Sequence, residues 1–309
     1  MLALLLLTLP IYLLVGLGYV IVRSSYVSAA DLKPIGQLVL RVSMPALIFL
    51  AISRLPIREA LRWDFIGGYL AGSLLVFAFG FLTARLLFGR PMAAAAMIAL
   101  GMSCSNSAFM AFPIATTVVG EGPAIQVLPL AMLVENTIIM PLALTLAEMQ
   151  GGQSPVLALR KTLASMGRNP LLLAVAAGLA FTALGLQLPE FLNRTLAMLA
   201  PIAAPVALLS IGGTVATLTA RLINPPIILV VVSKLILHPL AVWAGLSLIP
   251  DLDPVLITTG IIFAAAPMLS TFALLGLRYK LEAATATALI FATAASFFSI
   301  SGLIALLAP

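Results

Sequence analysis

Ten long apolar runs, separated only by short polar breaks, constrain this chain more than any other feature. They cover approximately residues 2–22, 35–53, 64–88, 92–119, 123–147, 168–187, 190–218, 223–249, 254–277 and 282–307. A helix needs roughly 20 apolar residues to cross a hydrocarbon core of about 30 Å. Each run meets that length. Charged residues make up 8% of the 309 positions and hydrophobic ones 62%, too little charge to cover a water-facing surface. The sequence therefore predicts an all-α membrane protein with ten transmembrane helices. The first run lacks a basic leader and a cleavage signal before Arg23, so it reads as a retained span.

The basic residues act as topology signals and do not form a nucleic-acid surface, because they sit singly or in small groups between apolar runs. With the N-terminus outside, the inner loops collect Arg23, Lys33, Arg41, Arg85, Arg90, Arg160, Lys161, Arg168, Arg221, Arg278 and Lys280. The outer loops hold Arg54, Arg58, Arg62 and Arg194. Eleven against four places both termini outside a multi-pass protein of the cell inner membrane. The arginines at 54–62 run against this assignment.

Special residues recur between the two halves. Pro10 and Gly18 return as Pro170 and Gly178, and Pro45 as Pro205, each 160 positions later. Pro113 corresponds to Pro267 at an offset of 154. A repeat of five spans, an odd number, must enter the membrane from opposite sides in its two copies. That is an inverted repeat, a frequent plan of secondary transporters. The expected division is 1–147, a cytoplasmic linker at 148–167, and 168–309.

Spans four and nine each carry a proline near mid-span, within Ser103–Pro113 and Ala264–Thr271. A mid-helix proline removes a backbone hydrogen bond. In lipid, such an interruption is tolerated only where protein or a wet cavity satisfies the freed groups. Matched interruptions point to a binding site. The bared N–H groups at the start of a second half-helix can hold a carboxylate. The alternative reading is an ordinary kink. The candidate substrate-binding residues are Asn106, Ser105, Pro113, Pro267, Ser270 and Ser43. For Ser43 the competing role is tight packing, as for the run Ser210 to Thr214. For Asn106 it is a plain interhelical hydrogen bond.

Glu135 and Lys234 are ionisable residues deep within spans five and eight, and burying either alone is costly. The expectation is that they pair across the interior. Such a pair could be inert or could couple a proton or sodium ion to transport. His238 lies four residues after Lys234, on the same helical face, as a satisfied interior group or a pH sensor. Asn136 points to a different face from Glu135, so one of the two is expected to line a given cavity. The lone Cys104 rules out an internal disulfide. With one histidine and no P-loop, no enzyme motif, metal site or nucleotide site emerges. No bound cofactor is expected.

Three stretches carry a family resemblance: Ser105-Asn106-x-x-Phe109-Met110-x-Phe112-Pro113-Ile114, Lys234-x-x-x-x-Pro239, and Pro267 followed by Leu275 to Tyr279. The whole chain resembles the auxin efflux carrier family, which includes plant carriers and bacterial organic-acid permeases. The resemblance implies crossing broken helices 4 and 9 and an elevator movement. Spans 1, 2, 6 and 7 would form a scaffold, and spans 3–5 and 8–10 a transport bundle. It implies that Asn106 contacts a substrate carboxylate, that Lys234 lies in a neighbouring support site, and that Glu135 stands where plant members carry glutamine. A homodimer through the scaffold is implied in the same way. Phe109 replaces a second asparagine of the plant carriers, and span three lacks their acid, which argues against auxin as cargo. The function expected is secondary transport of a small organic anion, a carboxylate or dicarboxylate. The alternatives are a non-transporting sensor on a carrier fold and a carrier of a non-anionic solute.

Overall fold

In the computed structural model, residues 2–150, 154, 156–157, 160, 164, 167–219 and 224–307 are described. Most of the expected linker 148–167, together with Lys161 and Arg221, lies outside the described residues. Among the described residues there is no β-strand. The first half contains α1 (Leu2–Arg23), α2 (Ala29–Ser53), α3 (Trp63–Leu86), α4 (Met92–Ser103), α5 (Ser107–Val119) and α6 (Glu121–Met149). The second contains α7 (Pro170–Ala183), α8 (Glu190–Thr217), α9 (Pro225–Ser247), α10 (Pro254–Ala265), α11 (Phe272–Arg278) and α12 (Glu282–Leu307). Among the described residues, six stretches are long and apolar enough to cross a membrane: α2, α6, α8, α9, α12, and α3 with the single turn Ile57–Ala60 before it. Runs 92–119 and 254–277 are each divided into two helices.

Local sequence sets the helix starts. Ser28 and Asp31 form a reciprocal cap at α2, where the Asp31 N–H donates to Ser28 Oγ at 3.1 Å and the Ser28 N–H to Asp31 Oδ2 at 3.3 Å. Such caps satisfy N–H groups that have no partner within the helix. Asn169, Asn224 and Asp253 cap α7, α9 and α10 more simply, each side-chain oxygen accepting one N–H of the first turn. Between α5 and α6 the chain turns on Gly120 alone, at φ +92°, a conformation that L side chains rarely adopt.

Four helices contain a wide π-turn, at Val39–Ser43, Ser107–Ala111, Glu135–Ile139 and Ser233–Leu237. In every case a proline follows two residues later, namely Pro45, Pro113, Pro141 and Pro239. The physical reason lies in the ring, which lacks an N–H and crowds the carbonyl four residues earlier. Widening the preceding turn moves that carbonyl aside and lets the N–H before the proline reach back five residues, as from Met44 to Val39 and from His238 to Ser233. Pro10, Pro34 and Pro129 stand in regular α-helix, so proline is not by itself sufficient for the wide turn.

Glycines let helices meet at backbone distance. A Cβ added to Gly212 on α8 would lie 1.9 Å from the Val15 carbonyl oxygen of α1, and one on Gly18 would lie 2.1 Å from that of Leu209. On α3 and α9, a Cβ at Gly245 would lie 2.3 Å from the Gly68 oxygen. Gly178 of α7 packs on α2, where an added Cβ would come within 2.8 Å of Ile52. Contact this close lets dispersion and weak polar contacts hold helices together where lipid provides no hydrophobic drive.

Candidate binding cavity at the broken helices

The two divided runs meet at their breaks. Helix α4 ends at Ser103, and Cys104 turns extended at φ −118°, ψ 125°. Ser105 then forms an isolated antiparallel bridge with Met268, and the Asn106 N–H donates to the Pro267 carbonyl at 2.8 Å. A short strand-like crossing thus replaces the helical hydrogen bonds that each break forfeits. This meets the requirement that backbone polar groups away from water find a protein partner.

The breaks fall differently around their prolines. Pro267 lies in the break between α10 and α11, and its carbonyl makes the crossing bond. Pro113 lies seven residues beyond Asn106, in the regular part of α5 after the π-turn. The first interruption is therefore at Cys104–Asn106, and the proline marks only the wide turn that follows.

At the crossing lies a buried polar network. Glu135 Oε1 accepts from Tyr69 Oη at 3.0 Å, from the Ser105 N–H at 3.3 Å and from Ser107 Oγ at 2.8 Å, while Oε2 lies 2.7 Å from the same hydroxyl. Lys234 Nζ donates to Ser105 Oγ at 2.8 Å and to the Ala264 carbonyl, with His238 Nδ1 at 2.9 Å. His238 Nε2 lies 3.0 Å from Ser73 Oγ. All of these residues are buried.

The expected direct Glu135–Lys234 pair is not made, since no ion pair between them occurs among the described residues. Ser105 stands between them, its N–H on the carboxylate and its hydroxyl under the ammonium. A buried charge needs hydrogen bonds on all sides to offset lost hydration, and the opened backbone at the break supplies them. Tyr69 and Ser73 of α3 complete the network.

Beside the network is a cavity of about 450 Å³. Its wall includes Ser105, Asn106 and Ser107 from the first break, Leu269, Ser270 and Thr271 from the second, Glu135 and Asn136 from α6, Gln37 and Arg41 from α2, and the start of α7 at Asn169–Leu171. Volumes of this size suit small-molecule ligands. The start of α5 at Ser107–Phe109 and the break residues just before α11 border it. Asn136 and Glu135 both reach it, against the expectation that one would. They open a π-turn, whose larger number of residues per turn changes the angular step between neighbours.

Over residues 4–304 the sequence matches the family described as membrane transport protein. It is also 30% identical over 305 residues, covering 97% of this chain and 95% of the other, to a Rhizobium meliloti protein named "Putative malonate transporter". The chain belongs to the auxin efflux carrier family. It is a multi-pass membrane protein of a transport family.

Of the residues singled out in this family member's sequence, Asn106, Ser105, Ser270 and Glu135 line the cavity. Lys234 and His238 stay within the buried network behind it. Pro267 is buried in the crossing and contributes its carbonyl. Pro113 and Ser43 are buried away from the lining. Several cavity residues escaped the sequence reading, among them Arg41 and Gln37. Arg41 counted there as a loop charge, yet it sits in the π-turn of α2. Gln37, one turn earlier, is on the same helix. The available signal was a charge six residues inside an apolar run, four before Pro45.

Proposed function

We propose that this protein is a secondary transporter for a small organic anion, a carboxylate or dicarboxylate, that binds where the two broken helices cross. The observation that carries this reading is the single cavity bounded by both breaks and lined by Asn106, Ser270 and Thr271. Half-helix starts offer N–H groups and a partial positive charge to an anion. Broken helices meeting at mid-membrane are a recurring way to bind cargo in carriers. The relative's name points to the same class of cargo.

The reading includes ten spans arranged as two inverted five-helix repeats, 1–147 and 168–309, in the inner membrane. Its support is that packing partners exchange between the halves. Gly18 of α1 meets Leu209 of α8, while Gly178 of α7 meets α2 at Phe49 and Ile52. Positions 18 and 178, and 49 and 209, are each 160 apart. On this plan the α1, α2, α7 and α8 bundle is a scaffold that supplies one wall of the cavity, and the remainder carries the broken-helix wall past it in an elevator movement. A homodimer would form through that scaffold. Glu135, Lys234 and His238 form the support site behind the crossing. A coupled proton or sodium ion would act there by changing the charge that Ser105 relays to the break.

Uptake into proteoliposomes of labelled dicarboxylates, monocarboxylates, amino acids and a cationic solute, with proton and sodium gradients imposed separately, tests this. Carboxylate uptake is expected. Uptake confined to neutral or cationic solutes would overturn the anion assignment, and no flux of any solute would favour a sensor.

A further inference from the structure

Arg41 is the cavity's only lining cation among the described residues, and it lacks a partner. It sits midway along Ala29–Ser53, with twelve residues on either side, inside the wide turn Val39–Ser43. No hydrogen bond or ion pair joins it to any described residue, and its side chain is exposed. A guanidinium within an apolar helix is costly and usually marks function. Among the described residues Glu135 is the only acid on the same wall, and its oxygens are already engaged by Tyr69, Ser105 and Ser107. Arg41 is thus a fixed positive charge facing a cavity that offers no free counter-charge of its own.

We propose that Arg41 is the residue that selects doubly charged cargo, taking a second carboxylate while the first is held at the crossing by Asn106 and the start of α5. This rests on the carrier reading and adds to it which residue counts the charges. The chemistry fits the side chain, because the planar fork of a guanidinium binds a carboxylate through two parallel N–H donors, which a lysine ammonium cannot match. It also explains the position. Arg41 comes from α2, whereas the crossing comes from α5 and α11, so a cargo with one carboxylate can satisfy one wall and leave the other charge unpaired. A dicarboxylate spans both. Neither the apolar run nor the cap of α2 requires a cation at this point.

The test compares wild type, Arg41→Gln and Arg41→Lys in proteoliposomes, using labelled malonate and succinate against labelled acetate, with thermal unfolding in detergent as a folding check. For Arg41→Gln, the efficiency ratio of dicarboxylate to monocarboxylate uptake should fall at least about tenfold, as for a lost charge-assisted hydrogen bond. Arg41→Lys should lie in between. An equal loss for both cargo classes, or no change in the ratio, would overturn the proposal and leave Arg41 a structural or topological charge. A ratio that shifts only when anionic lipid is removed from the vesicles would assign Arg41 to a lipid headgroup instead, and also overturns it. If wild type carries no carboxylate, the carrier reading fails first and this one falls with it. If wild type carries carboxylates and Arg41→Gln keeps the ratio, only this one fails.

Discussion

The break at Ser105 has two polar sides, and they are built in opposite ways. Behind it, Lys234 and His238 are buried, and Glu135, which also borders the cavity, spends its oxygens on Tyr69, Ser105 and Ser107 of the same network. In front of it, Asn106, Ser270 and Thr271 line an open cavity in which Arg41 has no hydrogen-bond or ion-pair partner among the described residues. The same interruption of two helices creates both. The sealed side consumes its hydrogen-bonding capacity in holding the crossing, and the open side keeps capacity for a ligand. Substitutions on the two sides should therefore separate into stability effects and uptake effects.

The largest effect is expected on the sealed side. Glu135→Ala removes the acceptor shared by Tyr69, Ser105 and Ser107 and leaves the Lys234 ammonium buried without its counter-charge, at a cost of about 3–5 kcal/mol. Thermal and denaturant unfolding in detergent would register it. A shift below about 1 kcal/mol would show that this side is not sealed. Next comes Asn106→Ala on the open side. Its backbone still makes the crossing bond to Pro267, so unfolding should barely move. Carboxylate uptake should weaken by about 1.5–3 kcal/mol, the scale of a hydrogen bond to a charged group. Equal losses in unfolding and uptake would erase the distinction between the sides.

Ser105→Ala sharpens the boundary. It removes the hydroxyl under Lys234 but keeps the N–H on Glu135, so a stability loss of about 1–3 kcal/mol is expected, accompanied by a change in uptake. The smallest effect belongs to neither side. Arg194 and Glu190 form an exposed ion pair one turn apart on α8, and Arg194→Ala should cost at most about 0.5 kcal/mol with uptake unchanged.

These residues also show what could be read from the chain beforehand. The helical content and the family were legible, because lipid as solvent demands long apolar runs and the chain has little else. Lys234 and His238 were placed on one face from their spacing of four, and they do share a contact. The position of the first break was not legible. Pro113 marks where a helix lacks an N–H, but the interruption sits at Cys104–Asn106, where a bond to Pro267 from a segment 161 positions away replaces the helical one. Nothing local in Cys-Ser-Asn announces that exchange. Tyr69 and Ser73 were missed for a related reason. Span three was searched for an acid, whereas it closes the network with two hydroxyls, one on Glu135 of α6 and one on His238 of α9. Arg41 was missed because charge counting places basic residues in loops, and a wide turn inside a helix holds this one against a cavity.

The central claim, that cargo sits between the two breaks, can be measured without relying on loss of function. Cys104 is the only cysteine and is buried, so Cys104→Ala supplies a background without thiols in which Ser270→Cys adds one to the cavity wall. The quantity to measure is the rate at which a charged thiol reagent labels position 270 in proteoliposomes, with and without saturating malonate. The account predicts steady labelling that malonate slows severalfold. Labelling at one unchanged rate, in vesicles that still take up malonate, would place the cargo elsewhere.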